Sequence, residues 1–164
     1  MNLEYFTTLY DYNYWARDRI LAAAEGMTDE EYQKPNGFTY DGLHSILAHT
    51  LAGENVWITR FRGEEFAGLI PESEVATLAS LTKRWRVEEA RMREYLSGLT
   101  DVKLAEDFVV RGRDGSERRS PLWLVLGHLV NHGTQHCSEA AEALTMVGRA
   151  PGALDLTTMY WSRQ

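Results

Sequence analysis

The sequence predicts an all-α fold, a bundle of four long amphipathic helices with one small β-hairpin before the last of them. Apolar residues recur at helical spacing over four long stretches, the pattern of a helix with one face in a core. Each stretch runs into a glycine: Gly26, Gly63, Gly98 and Gly148. The segment that breaks the pattern, residues 104–120, reads LAEDFVV, then RGRDG, then SERRS. That is a pair of short strands around the turn dipeptide Asp114-Gly115.

The first helix is predicted over residues 2–25, with Tyr5, Phe6, Leu9, Tyr10, Tyr14, Ile20, Leu21 and Ala24 on its apolar side. The aromatic stripe reads first as core, while Tyr10 and Tyr14 also have hydroxyls that can turn towards a polar pocket. Thr28 and Glu31 form a capping box over the short segment TDEEY, and Lys34-Pro35-Asn36-Gly37 is a connector. The second helix is predicted from Tyr40 to Phe61. Leu43, Ile46, Leu47, Trp57, Ile58 and Phe61 make one apolar face, and Ala48, Ala52, Gly53 and Val56 a second flank of small groups around His49. A helix apolar on both sides is buried on both sides, and small residues let a neighbour come close. A third helix is predicted over Ser73–Ser97 on the stripe Leu78, Leu81, Trp85, Met92, Tyr95 and Leu96. Pro121 starts the fourth, which extends to Val147, at the position where proline is tolerated. The tail 148–164 is expected to form a short helix or an extended cap. The 164 residues fit one domain, 1–164, with a sizeable core.

The formal net charge is −7, which argues against a nucleic-acid partner. The arginine-rich stretches, Lys83–Arg93 and Arg111, Arg113, Arg118 and Arg119, are interleaved with Glu88, Glu89, Glu94, Asp114 and Glu117 and read as solvated faces. The one cysteine, Cys137, excludes an intrachain disulfide. It falls on the core side of its helix, which points to a buried, inert thiol. No apolar run reaches membrane-spanning length and the N-terminus lacks the form of a signal peptide, so a soluble cytoplasmic protein is expected, with no membrane partner.

The chemistry concentrates on the fourth helix, where His128, His132 and His136 are spaced by four. Residues four apart stack along one side of a helix and climb about 6 Å per step. His128 and His136 are then about 12 Å apart, so one metal ion takes an adjacent pair. The apolar side of this helix, Leu122, Leu126, Leu129, Gly133, Cys137, Ala140 and Leu144, places His136 on its shoulder and His132 slightly further round. His128 lies close to the polar side, towards solvent or a subunit contact. His132 and His136 point at a seam where His49 of the second helix can join them. Three imidazoles from two helices suit Zn²⁺ or Ni²⁺ and leave positions open for water or substrate. His44, five residues from His49, is on another side of its helix. Glu54 interrupts an apolar stripe, where an unpaired carboxylate is costly. It either meets an arginine, the favoured reading, accepts from a histidine N–H, or reaches a cavity. No glycine-rich phosphate loop, nucleophile elbow or paired-cysteine motif competes.

Two motifs resemble the DinB/YfiT-like family. One is Ile46-Leu47-Ala48-His49 followed by Glu54 and Trp57. The other is His128-Leu-Val-Asn131-His132-Gly-Thr-Gln-His136. Tyr14-Trp15-Ala16 and the late Gly-Arg-Ala-Pro-Gly with Asp155-Leu156 are similar to it too, so the resemblance covers nearly the whole chain. It implies an up-down-down-up four-helix bundle, often a homodimer, with one divalent metal on His49, His132 and His136. The family includes bacillithiol S-transferases and mycothiol-dependent maleylpyruvate isomerases. The resemblance therefore implies a low-molecular-weight thiol as co-substrate and a small-molecule electrophile, with thiol transfer or hydrolysis as the reaction. Glu54 and Asn131 are candidates to support the ligands, and Tyr10, Tyr14 and Trp57 to line a pocket. Where the family commonly continues His-Arg-Gly-Gln, this sequence has His136-Cys137-Ser138-Glu139, which weakens transfer of thiol specificity and leaves the ligands untouched. Two rivals stand beside the enzyme: a non-catalytic metal- or thiol-binding stress protein, and a purely structural dimerising bundle.

Overall fold

A computed structural model describes residues 2–37, 40–112 and 114–164. Among these, four long helices form the bundle: α1 (Leu3–Ala24), α3 (Leu43–Phe61), α4 (Leu78–Ser97) and α6 (Leu122–Met146). Shorter pieces join them: α2 (Asp29–Gln33), a 3-10 turn (Glu72–Glu74), α5 (Asp101–Leu104), the antiparallel strands β1 (Asp107–Arg111) and β2 (Glu117–Pro121), and α7 (Leu156–Trp161). Around the ring α1 packs on α6 and α4, and α3 packs on the same two.

Which ends meet fixes the direction of each helix. Ile20 and Leu21, late in α1, cluster with Leu43 and Ile46, early in α3, with Leu81, early in α4, and with Leu144, late in α6. At the other end Phe6, early in α1, clusters with Phe61, Leu96 and Leu122. The bundle is thus up-down-down-up, as the family resemblance implied. Because α3 and α4 run parallel, the chain must travel back along the bundle between them. A 19-residue helix is about 28 Å long, a distance that the extended segment 62–77 can cover. Its far end is pinned to the start of α3, where Val75 is buried, its carbonyl accepts from His44 Nε2 (3.1 Å), and Gln33 Nε2 donates to the Ala76 carbonyl (2.8 Å).

The element boundaries differ from expectation in three places, each for a local reason. The second long helix starts at Leu43 instead of Tyr40, because Asp41 and Gly42 have φ of 48° and 124°, outside helical space. A side chain at Gly42 would also meet the Lys34 carbonyl at 2.6 Å. The third starts at Leu78, where Thr77 caps it with Ser80 in a reciprocal pair. Ahead of the hairpin, Thr100 caps the extra turn α5, so the first strand begins at Asp107. Pro121 ends β2 and is the N-cap of α6. The tail forms α7, whose Met159 is buried. Arg113, assigned above to a solvated face, lies outside the described residues.

The two apolar clusters are separated by a layer of buried polar groups, among them Arg17, Glu54, Asn55, Glu88 and His136. The charged face of α4 is therefore not all solvated. Glu88 is fully buried and accepts from Asn55 Nδ2 (3.1 Å), Arg84 and Arg91. No helix among the described residues is long and apolar enough to cross a membrane.

Candidate metal centre

His49 lies in the middle of α3 and faces the middle of α6, where His132 and His136 project one turn apart. The three rings converge, with one potential ligand atom from each lying within 4.8 Å of the other two. His132 Nε2 is 3.3 Å from His49 Nε2. Two nitrogens bound at about 2.0–2.1 Å to a tetrahedral zinc are separated by about 3.3 Å, so this pair already has the spacing of two ligands on one ion. The donor set and its geometry fit a divalent metal.

The approach of α3 to α6 depends on Gly53. A Cβ there would sit 2.7 Å from His132 Cε1, so the missing side chain is where the imidazole lies. Behind the histidine cluster, His136 Nδ1 hydrogen-bonds Glu139 Oε2 at 2.6 Å. A carboxylate on Nδ1 holds the proton there and leaves the lone pair of Nε2 free for a metal. Burial pushes Glu139 up, but the hydrogen bond and charge of His136 outweigh it and leave its carboxyl below the usual range. Burial, followed by His136, His49 and His128, pushes His132 down to about 4, and burial also lowers His49. Burial thus favours the neutral form of both rings, the form that can bind a metal. The Tyr40 hydroxyl lies 3.1 Å from His49 Nε2, its ring stacks on His49 (centroids 4.4 Å), and its edge meets His136 (5.1 Å).

The remaining sequence candidates separate cleanly. His128 is exposed and touches Trp57 edge to face, and Asn131 is exposed on the same helix. His44 is spent on the Val75 carbonyl and the Tyr32 ring. Cys137 is buried, and burial pushes its thiol up to about 12. Glu54 corrects the ion-pair reading. Its carboxylate accepts from Tyr14 Oη (2.6 Å) and Trp85 Nε1 (2.7 Å), while Arg17 pairs instead with Asp18 (2.7 Å) and Glu89 (2.5 Å). Glu54 does reach a cavity, which Tyr10, Tyr14 and His132 also line. Tyr40 and Glu139 are site residues that the sequence reading did not single out. Glu139 had a signal, a carboxylate one turn after a histidine. Tyr40 had none, because it sits outside the helix, beyond the reach of periodicity.

Comparison with known proteins agrees with this architecture. The chain is 24% identical over 161 residues to "Protein DinB" of Bacillus subtilis (strain 168), covering 90% of this chain and 88% of that protein. The profile described as DinB family matches residues 1–164. A match along its entire length, on a bundle that brings three histidines together, places this chain in the DinB family.

Proposed function

We propose that the protein binds one divalent metal ion, zinc or nickel, through His49, His132 and His136, and uses it in an enzyme acting on a small electrophile, either by transferring a low-molecular-weight thiol or by hydrolysis. The convergence of three imidazoles from two helices is the observation that carries this reading. Held there, the ion would supply Lewis acidity and lower the pKa of a thiol or water in its open position. The protein's own part is to present three nitrogens and keep their protons on the far side of each ring. Glu139 does this for His136. Tyr40 offers a hydroxyl beside the cluster that can donate to an anionic sulfur or oxygen at the open position. In a transfer the thiol gives up its proton, sulfur forms the new bond to carbon, and the leaving group departs with the bonding pair.

A second reading, metal or thiol binding without turnover, is favoured by the packing of the Tyr40 ring against His49 and His136, which covers part of the cluster. Metal analysis of untagged protein beside His49→Ala and His136→Ala tests the shared premise. About one ion per chain, lost in both variants, is expected. A wild type that takes up neither Zn²⁺ nor Ni²⁺ from excess overturns the enzyme reading and the metal-binding form of the second. A screen of thiols against electrophiles then separates them, since product requires the enzyme and thiol binding alone the second reading.

A further inference from the structure

Beside His132 the bundle contains a small cavity of about 20 Å³ open to the centre of a water-sized sphere, and His49 is not among its lining residues. Tyr14 and Arg17 of α1, Thr50 and Glu54 of α3, Trp85 of α4 and His132 of α6 are among its walls, so all four long helices meet there. A water needs about 10–15 Å³ by this measure, so the space suits one water and excludes an organic ligand. Two of the lining residues carry a buried nitrogen with no hydrogen-bond partner among the described residues: His132 Nδ1 and Arg17 Nη1. Arg17 is only 2% exposed. A buried polar atom without a partner is costly, and here two of them belong to residues that line one cavity of the right size. Glu54 lines the same cavity and supplies an acceptor. Each of its oxygens takes one hydrogen bond, from Tyr14 and from Trp85, and keeps a lone pair free.

We infer that the cavity holds a bound water that accepts the Nδ1–H of His132 and donates to the Glu54 carboxylate, making Glu54 the positioning residue that fixes His132 with a free Nε2. A neutral imidazole carries one proton. On Nε2 it would point along the 3.3 Å contact to His49 Nε2 and occupy the lone pair needed for a metal. An acceptor behind the ring draws the proton to Nδ1. The water thus does for His132 what Glu139 does directly for His136, and ties the buried polar layer to the histidine cluster. Its value to the metal site rests on the function proposed above, whereas the water and the tautomer do not.

The experiment is a high-resolution crystal structure of the metal-free protein, together with ¹⁵N NMR of the His132 ring and chelator-competition zinc affinities for wild type, Glu54→Leu and Glu54→Gln. An ordered water within hydrogen-bond distance of His132 Nδ1 and Glu54 is expected, with the proton on Nδ1. Glu54→Leu should move the proton towards Nε2 and weaken zinc binding by about ten- to hundredfold. Glu54→Gln, which keeps a carbonyl acceptor, should recover part of that loss. A merely structural role for Glu54 would lower stability without moving the tautomer. A dry cavity, or an Nε2–H tautomer in wild type, overturns the inference even if Glu54→Leu fails to fold. So does an unchanged tautomer in a folded Glu54→Leu. A wild type with the water and the Nδ1 proton in place that binds no zinc supports the network and overturns the metal reading alone.

Discussion

At Gly53 the interests of the helix and of the site are opposed. Alanine there would favour α3 by about 1 kcal/mol, yet its Cβ would fall 2.7 Å from His132 Cε1. The site interaction should decide the outcome for binding. Gly53→Ala is expected to stay helical by circular dichroism and to bind zinc at least about tenfold more weakly, the cost of moving one ligand out of line. Unchanged affinity would mean that His132 is not a ligand. Glu139→Gln removes the charge behind His136 and should weaken zinc binding by roughly tenfold, measured in the same competition assay. Cys137 makes a contrasting prediction. With its thiol pushed up to about 12 by burial, it should resist alkylation in the native protein at pH 8 and react once the protein is unfolded.

At the scale of elements, α1 and α4 are joined by charge as well as by apolar contact. Arg17 donates to Glu89, which also accepts from Arg93 and Arg86, while Arg93 reaches across to Asp11 of α1. Burial pushes Glu89 up, but these guanidinium groups, Arg17 foremost, hold it at about 2 against its ordinary 4.5. A carboxylate with a depressed native pKa contributes stability that is complete above its unfolded value and is lost as protons bind. The contribution should therefore be present above about pH 4.5 and fade as the pH falls towards 2. Denaturant unfolding of wild type and Glu89→Gln checks this. The wild type should be more stable at pH 6, and the gap should close by pH 2. A gap independent of pH would show that Glu89 acts through packing instead.

For the whole molecule, the three histidines are divided between α3 and α6, so a bound ion would cross-link two helices that the unfolded chain leaves far apart. A ligand held only by the native state stabilises it by about 2.7 kcal/mol at a hundred times Kd. For a protein of this size that raises Tm by roughly 5–10 °C. Zinc should raise Tm by this amount in wild type, and a chelator should reverse it. No shift with His136→Ala, against a full shift in wild type, would tie the effect to the cluster.

The sequence by itself determined the helices, because amphipathic periodicity and glycine stops are local properties that each segment carries alone. It also indicated the histidine trio, since i, i+4 spacing puts His132 and His136 on one face and the small flank around His49 invites a close neighbour. Motif resemblance added the order of helix directions, which no local pattern encodes. Tertiary structure alone decided the partners of the charged and polar groups. Glu54 could have met an arginine, a histidine or a cavity. It is held by Tyr14 and Trp85, 40 and 31 residues away, beside a cavity lined from all four long helices. Glu88 looked solvated on a charged helix and is fully buried. Tyr40 reached the cluster from a loop. Hydrogen bonds and ion pairs are made across the bundle by side chains with several possible reaches, so their pairing follows from how the helices dock, and periodicity records only which face each residue occupies.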